Sequence, residues 1–121
     1  MQTLLVVTAL VEGVTGVALV ALPSRLATLL LGSSLEAPAA LTLARVAGVA
    51  LVALALTCWL TRNDGQSRPA RGLVAAMAFY HTSIAIVLAY ASLGLALSGP
   101  GLGPTVLFHA AMTVWSLKTS R

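Results

Sequence analysis

Thr8-Ala9-Leu10-Val11-Glu12-Gly13-Val14-Thr15-Gly16 sets one carboxylate about midway along an apolar run long enough to cross a bilayer. Hydrocarbon does not solvate a carboxylate, so Glu12 has to be protonated, paired or turned towards a cavity. Thr8, Glu12 and Thr15 fall at i, i+4 and i+7, which gives the helix one polar face. Gly13 and Gly16 let a second backbone approach that helix closely. Polar groups inside the other apolar runs are candidate partners for this face.

The rest of the chain has the same character. Of its 121 residues, 59% are hydrophobic and only 8% are charged, far below the roughly 25% of a soluble domain. The length accommodates one domain, residues 1–121, with no separate soluble module. The net charge of +4 comes from a few basic residues beside apolar runs, which reads as membrane flanking rather than nucleic-acid binding. The single cysteine, Cys58, allows no internal disulfide and no thiolate metal framework.

Four spans are expected, at about 3–22, 39–60, 72–97 and 105–117. The first is not read as a cleaved signal. No Lys or Arg precedes it, Glu12 interrupts it and no A-x-A site follows. Pro23 ends it, and residues 24–31 form a short amphipathic helix along the membrane surface, stopped by Gly32. Ser33-Ser34-Leu35-Glu36 matches a capping box for the second span. Asn63-Asp64-Gly65 turns the one hydrophilic loop, and Ser98 to Pro104 makes an uncharged turn. The fourth span is short for a bilayer. Gly-Val-Ala-Leu-Val-Ala-Leu occurs at 16–22 and again at 48–54. A duplicated hairpin produces such a repeat, but so does chance in a chain rich in these residues, and chance is the preferred reading.

With four spans, both termini and the central loop share one side. That side holds Arg62, Arg68, Arg71, Lys118 and Arg121, and the other holds Arg25, so both termini are expected in the cytoplasm. A rise of about 1.5 Å per residue then places Glu12, His81 and His109 at one level, roughly 12–14 Å from the cytoplasmic edge. Arg45 and Tyr90 come about 9–10 Å farther out. The expected polar cluster is therefore Glu12, Arg45, His81, His109 and Tyr90. Arg45 serves as counter-charge to Glu12, pairs with Glu36 or snorkels to the outer headgroups.

Two histidines and a carboxylate can bind zinc or iron, and two level histidines can hold a haem. The three residues lie on different helices without a local H-x-x-x-H or E-x-x-H signature, so no metal or other cofactor is expected. Tyr80, Ser83 and Tyr90 share a face able to contact a quinone or lipid. No nucleophile motif, phosphate loop or paired carboxylates appear, which argues against an enzyme.

The segment Glu12 to Gly16 resembles the small multidrug resistance transporters, whose glutamate binds protons and cations. A wider set looks like the DoxX-like four-helix bacterial membrane proteins: Glu12-Gly13, Gly16, Pro23, Leu30-Leu31-Gly32, Ala44-Arg45, Gly48, Trp59 and Arg62. That resemblance implies an all-α transmembrane bundle in a bacterial inner membrane, and it leaves activity open. The expectation is a non-enzymatic membrane protein, an accessory subunit or small-ligand binder built around Glu12. The alternatives are a proton-coupled transporter and a haem- or quinone-binding redox subunit. The lipid bilayer is the expected partner, together with a second copy or a membrane complex.

Overall fold

In the computed structural model, which describes residues 1–120, the chain is all helical. Arg121, counted above among the cytoplasmic charges, lies outside the described residues. The helices are α1 (Gln2–Ala21), α2 (Pro23–Leu31), α3 (Pro38–Thr61), α4 (Arg68–Leu93) and α5 (Leu102–Thr119). Three of them, α1, α3 and α4, are long and apolar enough to cross a membrane. Helix α5 carries Pro104, His109 and Lys118 and is not among those three.

Prolines and glycines set the boundaries. Pro23 has no N–H to continue α1, and it starts α2 at a position where that loss is harmless. Gly32 closes α2 in the left-handed conformation, φ +71°, with the Ser98 carbonyl 2.7 Å from where a Cβ would stand. The expected capping box does not form. Ser34 Oγ donates to Glu36 Oε1 at 3.3 Å instead, and α3 starts at Pro38 without a side-chain cap. The third apolar run leaves the helix at Leu93, before the expected 97. There the chain turns back: Leu95 and Leu97 donate to the Tyr90 and Ala91 carbonyls, and Ala96 adopts a left-handed φ of 54°.

Helices α1 and α3 pack antiparallel with their backbones in contact. A Cβ on Gly16 would stand 2.7 Å from the Gly48 carbonyl oxygen and 2.9 Å from Val52 Cγ2. A Cβ on Gly48 would stand 2.7 Å from the Gly16 oxygen and 2.9 Å from Val20 Cγ2. The crossing is thus locally two-fold symmetric. The first residue of each copy of the repeated heptapeptide faces the first and fifth residues of the other. Whatever its origin, the repeat coincides with the closest helix contact in this pair.

Helices α4 and α5 form a second antiparallel pair. The two pairs meet mainly through side chains. At one end, Leu4 and Leu5 of α1, Cys58 of α3, Val74 and Met77 of α4 and Met112 of α5 make the buried core. Gln2 also donates to Asn63 Oδ1 at 3.0 Å, which holds the N-terminus against the central loop. At the other end α2 lies across the helices, and its Leu29 carbonyl accepts from the Gly101 N–H at 2.9 Å. Outward faces carry Leu43, Val46, Leu60, Phe79, Leu93 and Leu107, all large and exposed.

The Gly16–Gly48 crossing gives the first prediction. Gly16→Ala and Gly48→Ala should each lower stability by about 1–3 kcal/mol, because backbone blocks the added methyl. The double variant should lose less than the two losses added together, since both methyls open the same gap. Unfolding in mixed detergent micelles measures this. Independent, additive losses would show that the backbones do not meet there.

Candidate functional site

Glu12 projects from the inner face of α1 and is only 2% exposed. Thr8, one turn earlier, is fully buried, and Thr15, one turn later, lines a cavity. Helix α4 runs alongside and brings Tyr80, whose hydroxyl donates to Glu12 Oε2 at 2.7 Å. The neighbouring residue, His81, is fully buried and turns towards α5. There its Nδ1 meets Nδ1 of His109 at 2.8 Å. The Tyr80 ring lies edge-on to both imidazoles, at centroid distances of 5.1 and 5.8 Å, and Phe108 also packs edge-on against both.

One ring nitrogen from each histidine and one Glu12 oxygen all lie within 4.8 Å of one another. The structure therefore brings Glu12, His81 and His109 together. Two of their atoms, Glu12 Oε1 and His81 Nε2, are buried without a hydrogen-bond partner. A neutral pair joined through both Nδ1 atoms shares one proton, so one ring donates and the other accepts. The assignment that strands no buried N–H puts that proton on His81. Its Nε2 is then a bare lone pair, and the Nε2–H of His109 faces the cavity.

The cavity, about 670 Å³, opens between the two helix pairs. Glu12, Tyr80 and His109 form its polar end, with the hydroxyls of Thr15 and Thr105 nearby. The walls are apolar, from Leu19, Leu51, Ile84 and Leu88, with Ala47 and Ala50 leaving room on α3. Leu26, Leu29 and Leu30 of α2 roof it. On the other side of Glu12 the core of Leu4, Leu5, Val74, Met77 and Met112 closes the protein. The site is thus a blind apolar chamber with acid, phenol and imidazole at its closed end.

Arg45 and Tyr90 do not join this cluster. Arg45 is exposed, and its Nε donates to the Val20 carbonyl at 3.3 Å. That carbonyl belongs to the last turn of α1, where the helix leaves acceptors unpaired, so Arg45 caps α1 rather than neutralising Glu12. Tyr90 is 63% exposed and folds its ring over Gly94, where a Cβ would come within 2.6 Å of it. The residue that takes the expected place is Tyr80, which the sequence reading assigned to a quinone- or lipid-facing surface. Its signal was available: Tyr80 precedes His81 and lies within one residue's rise of the same depth.

No protein-family model, curated protein or solved structure matches this chain. The DoxX-like resemblance therefore rests on the residues quoted for it alone.

These contacts generate the second prediction. Tyr80→Phe should cost about 1–3 kcal/mol, because it leaves a second oxygen of Glu12 buried and unpaired. Glu12→Gln keeps an acceptor for the Tyr80 hydroxyl and should cost less. In double-variant cycles, Glu12 and Tyr80 should couple, whereas Glu12→Gln and Arg45→Gln should add to within about 0.5 kcal/mol. Strong Glu12–Arg45 coupling would restore the ion pair that the structure replaces with a helix cap.

Proposed function

We infer that this is an integral membrane protein of four spanning helices that binds a small, mostly apolar molecule bearing a polar end. It performs no chemistry of its own and acts as a binder or as the ligand-holding accessory subunit of a membrane complex. The observation that carries this reading is the cavity, which ends on a carboxylate with one oxygen free. Its volume lies within the roughly 300–1,000 Å³ of ligand pockets, and apolar walls with a few convergent polar groups are what such sites present.

Helix α5 is the fourth span in this reading. Its 18 residues reach about 27 Å, close to the hydrocarbon thickness. Trp59 and Trp115 are exposed near the ends of α3 and α5, at the level expected of headgroups. The Arg62 guanidinium stacks 4.0 Å from the Trp59 ring and donates to the Trp59 carbonyl, at the same end as Arg68, Arg71 and Lys118. By the positive-inside rule this end, with both termini, faces the cytoplasm. The DoxX-like resemblance supports a bacterial inner membrane.

A proton-coupled transporter is the second reading, favoured by the route from the cavity to Glu12. It requires the cytoplasmic core below Glu12 to open, and that core is packed shut. A haem held between His81 and His109 requires the two rings to part, whereas here they touch.

Binding is tested by loading the protein in nanodiscs with decanol, decylamine or decanoic acid and weighing the released protein by native mass spectrometry. The wild type should retain one amphiphile per chain. Ala50→Trp, which fills the cavity from α3, should lose it with helicity unchanged. Equal retention by both would remove the cavity as the binding site, and proton-coupled flux abolished by Glu12→Gln would favour the transporter. Reporter fusions in the 62–67 loop and at the C-terminus should both read cytoplasmic. A periplasmic C-terminus would mean that α5 does not span.

A further inference from the structure

We propose that Glu12, His81 and His109 form a binding site for one divalent transition-metal ion, of the zinc or ferrous-iron kind, at the closed end of the cavity. The sequence offers no local metal signature, because the three donors come from three helices. The fold assembles them: one donor atom from each lies within 4.8 Å of the others. Donors about 2.1 Å from an ion stand about 3.0–3.4 Å apart, so small side-chain rotations close the triangle.

Two further observations point to an ion. Glu12 Oε1 and His81 Nε2 are lone-pair donors, each on a side chain at least 98% buried, and neither has a partner. Each such atom costs free energy as it stands, and coordination relieves that cost. The second Glu12 oxygen is held by the Tyr80 hydroxyl at 2.7 Å, which orients the carboxylate and leaves Oε1 to bind alone. His109 supplies the lone pair of its Nδ1, which accepts from His81 before an ion binds, so binding exchanges that 2.8 Å hydrogen bond for coordination.

The donor set selects the class of ion. Two imidazoles and one carboxylate suit zinc or ferrous iron, and without a thiolate they do not select cuprous copper or an iron–sulfur cluster. Hard cations such as magnesium or calcium prefer all-oxygen sites. Three protein ligands leave at least one coordination position open. Glu12 and His109 line the cavity while His81 lies behind them, so the open position faces the cavity. The two readings share Glu12 but have separate requirements: the ion needs the three donors, and the amphiphile needs the cavity volume.

The test is a cobalt(II) titration of chelator-stripped protein in nanodiscs, followed by visible absorption. The expected result is saturation at one ion per chain, with ligand-field bands that zinc(II) abolishes by competition. His81→Ala, His109→Ala and Glu12→Ala should each weaken binding at least tenfold. Tyr80→Phe keeps all three ligands, so it should keep the bands while weakening affinity about 10–100-fold. Ala50→Trp should lose the amphiphile and keep the cobalt bands, which separates failure of the cavity reading from failure of this one. Absence of saturable bands in the folded wild type would overturn the proposal. So would bands unchanged in a folded His81→Ala protein, or Tyr80→Phe binding cobalt as tightly as the wild type.

Discussion

A carboxylate inside an apolar bundle has to be satisfied by the protein itself, and Glu12 depends on a helix remote in sequence for its one hydrogen bond. Tyr80 reaches it only when the α4–α5 pair docks beside the α1–α3 pair. The buried core at the N-terminal end of α1 fixes the height of that docking, because Leu4, Leu5, Val74 and Met77 must interleave before Tyr80 comes level with Glu12. The polar contact and the apolar core thus specify one register. A slip of one helical turn, about 5.4 Å, would break both at once.

The cavity follows from unequal packing. Glycine at residues 16 and 48 allows α1 and α3 to touch at the backbone, whereas α1 and α4 meet through larger side chains. Below Glu12 those side chains fill the gap. Above it, Ala47 and Ala50 are too small to do so, and α2 bridges the opening instead of plugging it. The roof is held from both sides. The Gly101 N–H is bonded to Leu29, and the Leu35 N–H donates to Ser24 Oγ at 3.1 Å. The left-handed Gly32 puts the chain after α2 directly against Ser98.

Much of this was legible in the sequence, and the parts that were not share a physical cause. The apolar runs, Pro23 and Gly32 give the helices, and counting residues from the charged loop puts Glu12, His81 and His109 at one depth. Depth is one coordinate. The angle around the helix axis is the other, and it separates Tyr80, which faces Glu12, from Tyr90, which faces outward over Gly94. That angle depends on which neighbour a helix chooses, and α4 chooses α5. Arg45 shows a different limit. Its charge asks for a partner, but a free helix-end carbonyl serves as well as a carboxylate. Only the position of the end of α1 relative to α3 decides between them.

A bundle needing stability alone would gain from a different closed end. Replacing a buried polar group by a packed apolar one is often neutral or stabilising, and a partly satisfied polar network is worse than either alternative. Here Glu12 Oε1 and His81 Nε2 are both left unpartnered, at about 1–3 kcal/mol for each group. Leu or Met at residues 12 and 81 would remove that cost and extend the adjoining core. A register-fixing role does not require the open atoms, since the Tyr80 hydroxyl already pairs with Glu12 through its other oxygen. The open atoms have two things in common: both are acceptors, and both belong to the cluster that closes the cavity. An arrangement of spare lone pairs at the blind end of an apolar chamber is one that an electron-pair acceptor completes, whether a proton donor on a ligand or a metal ion.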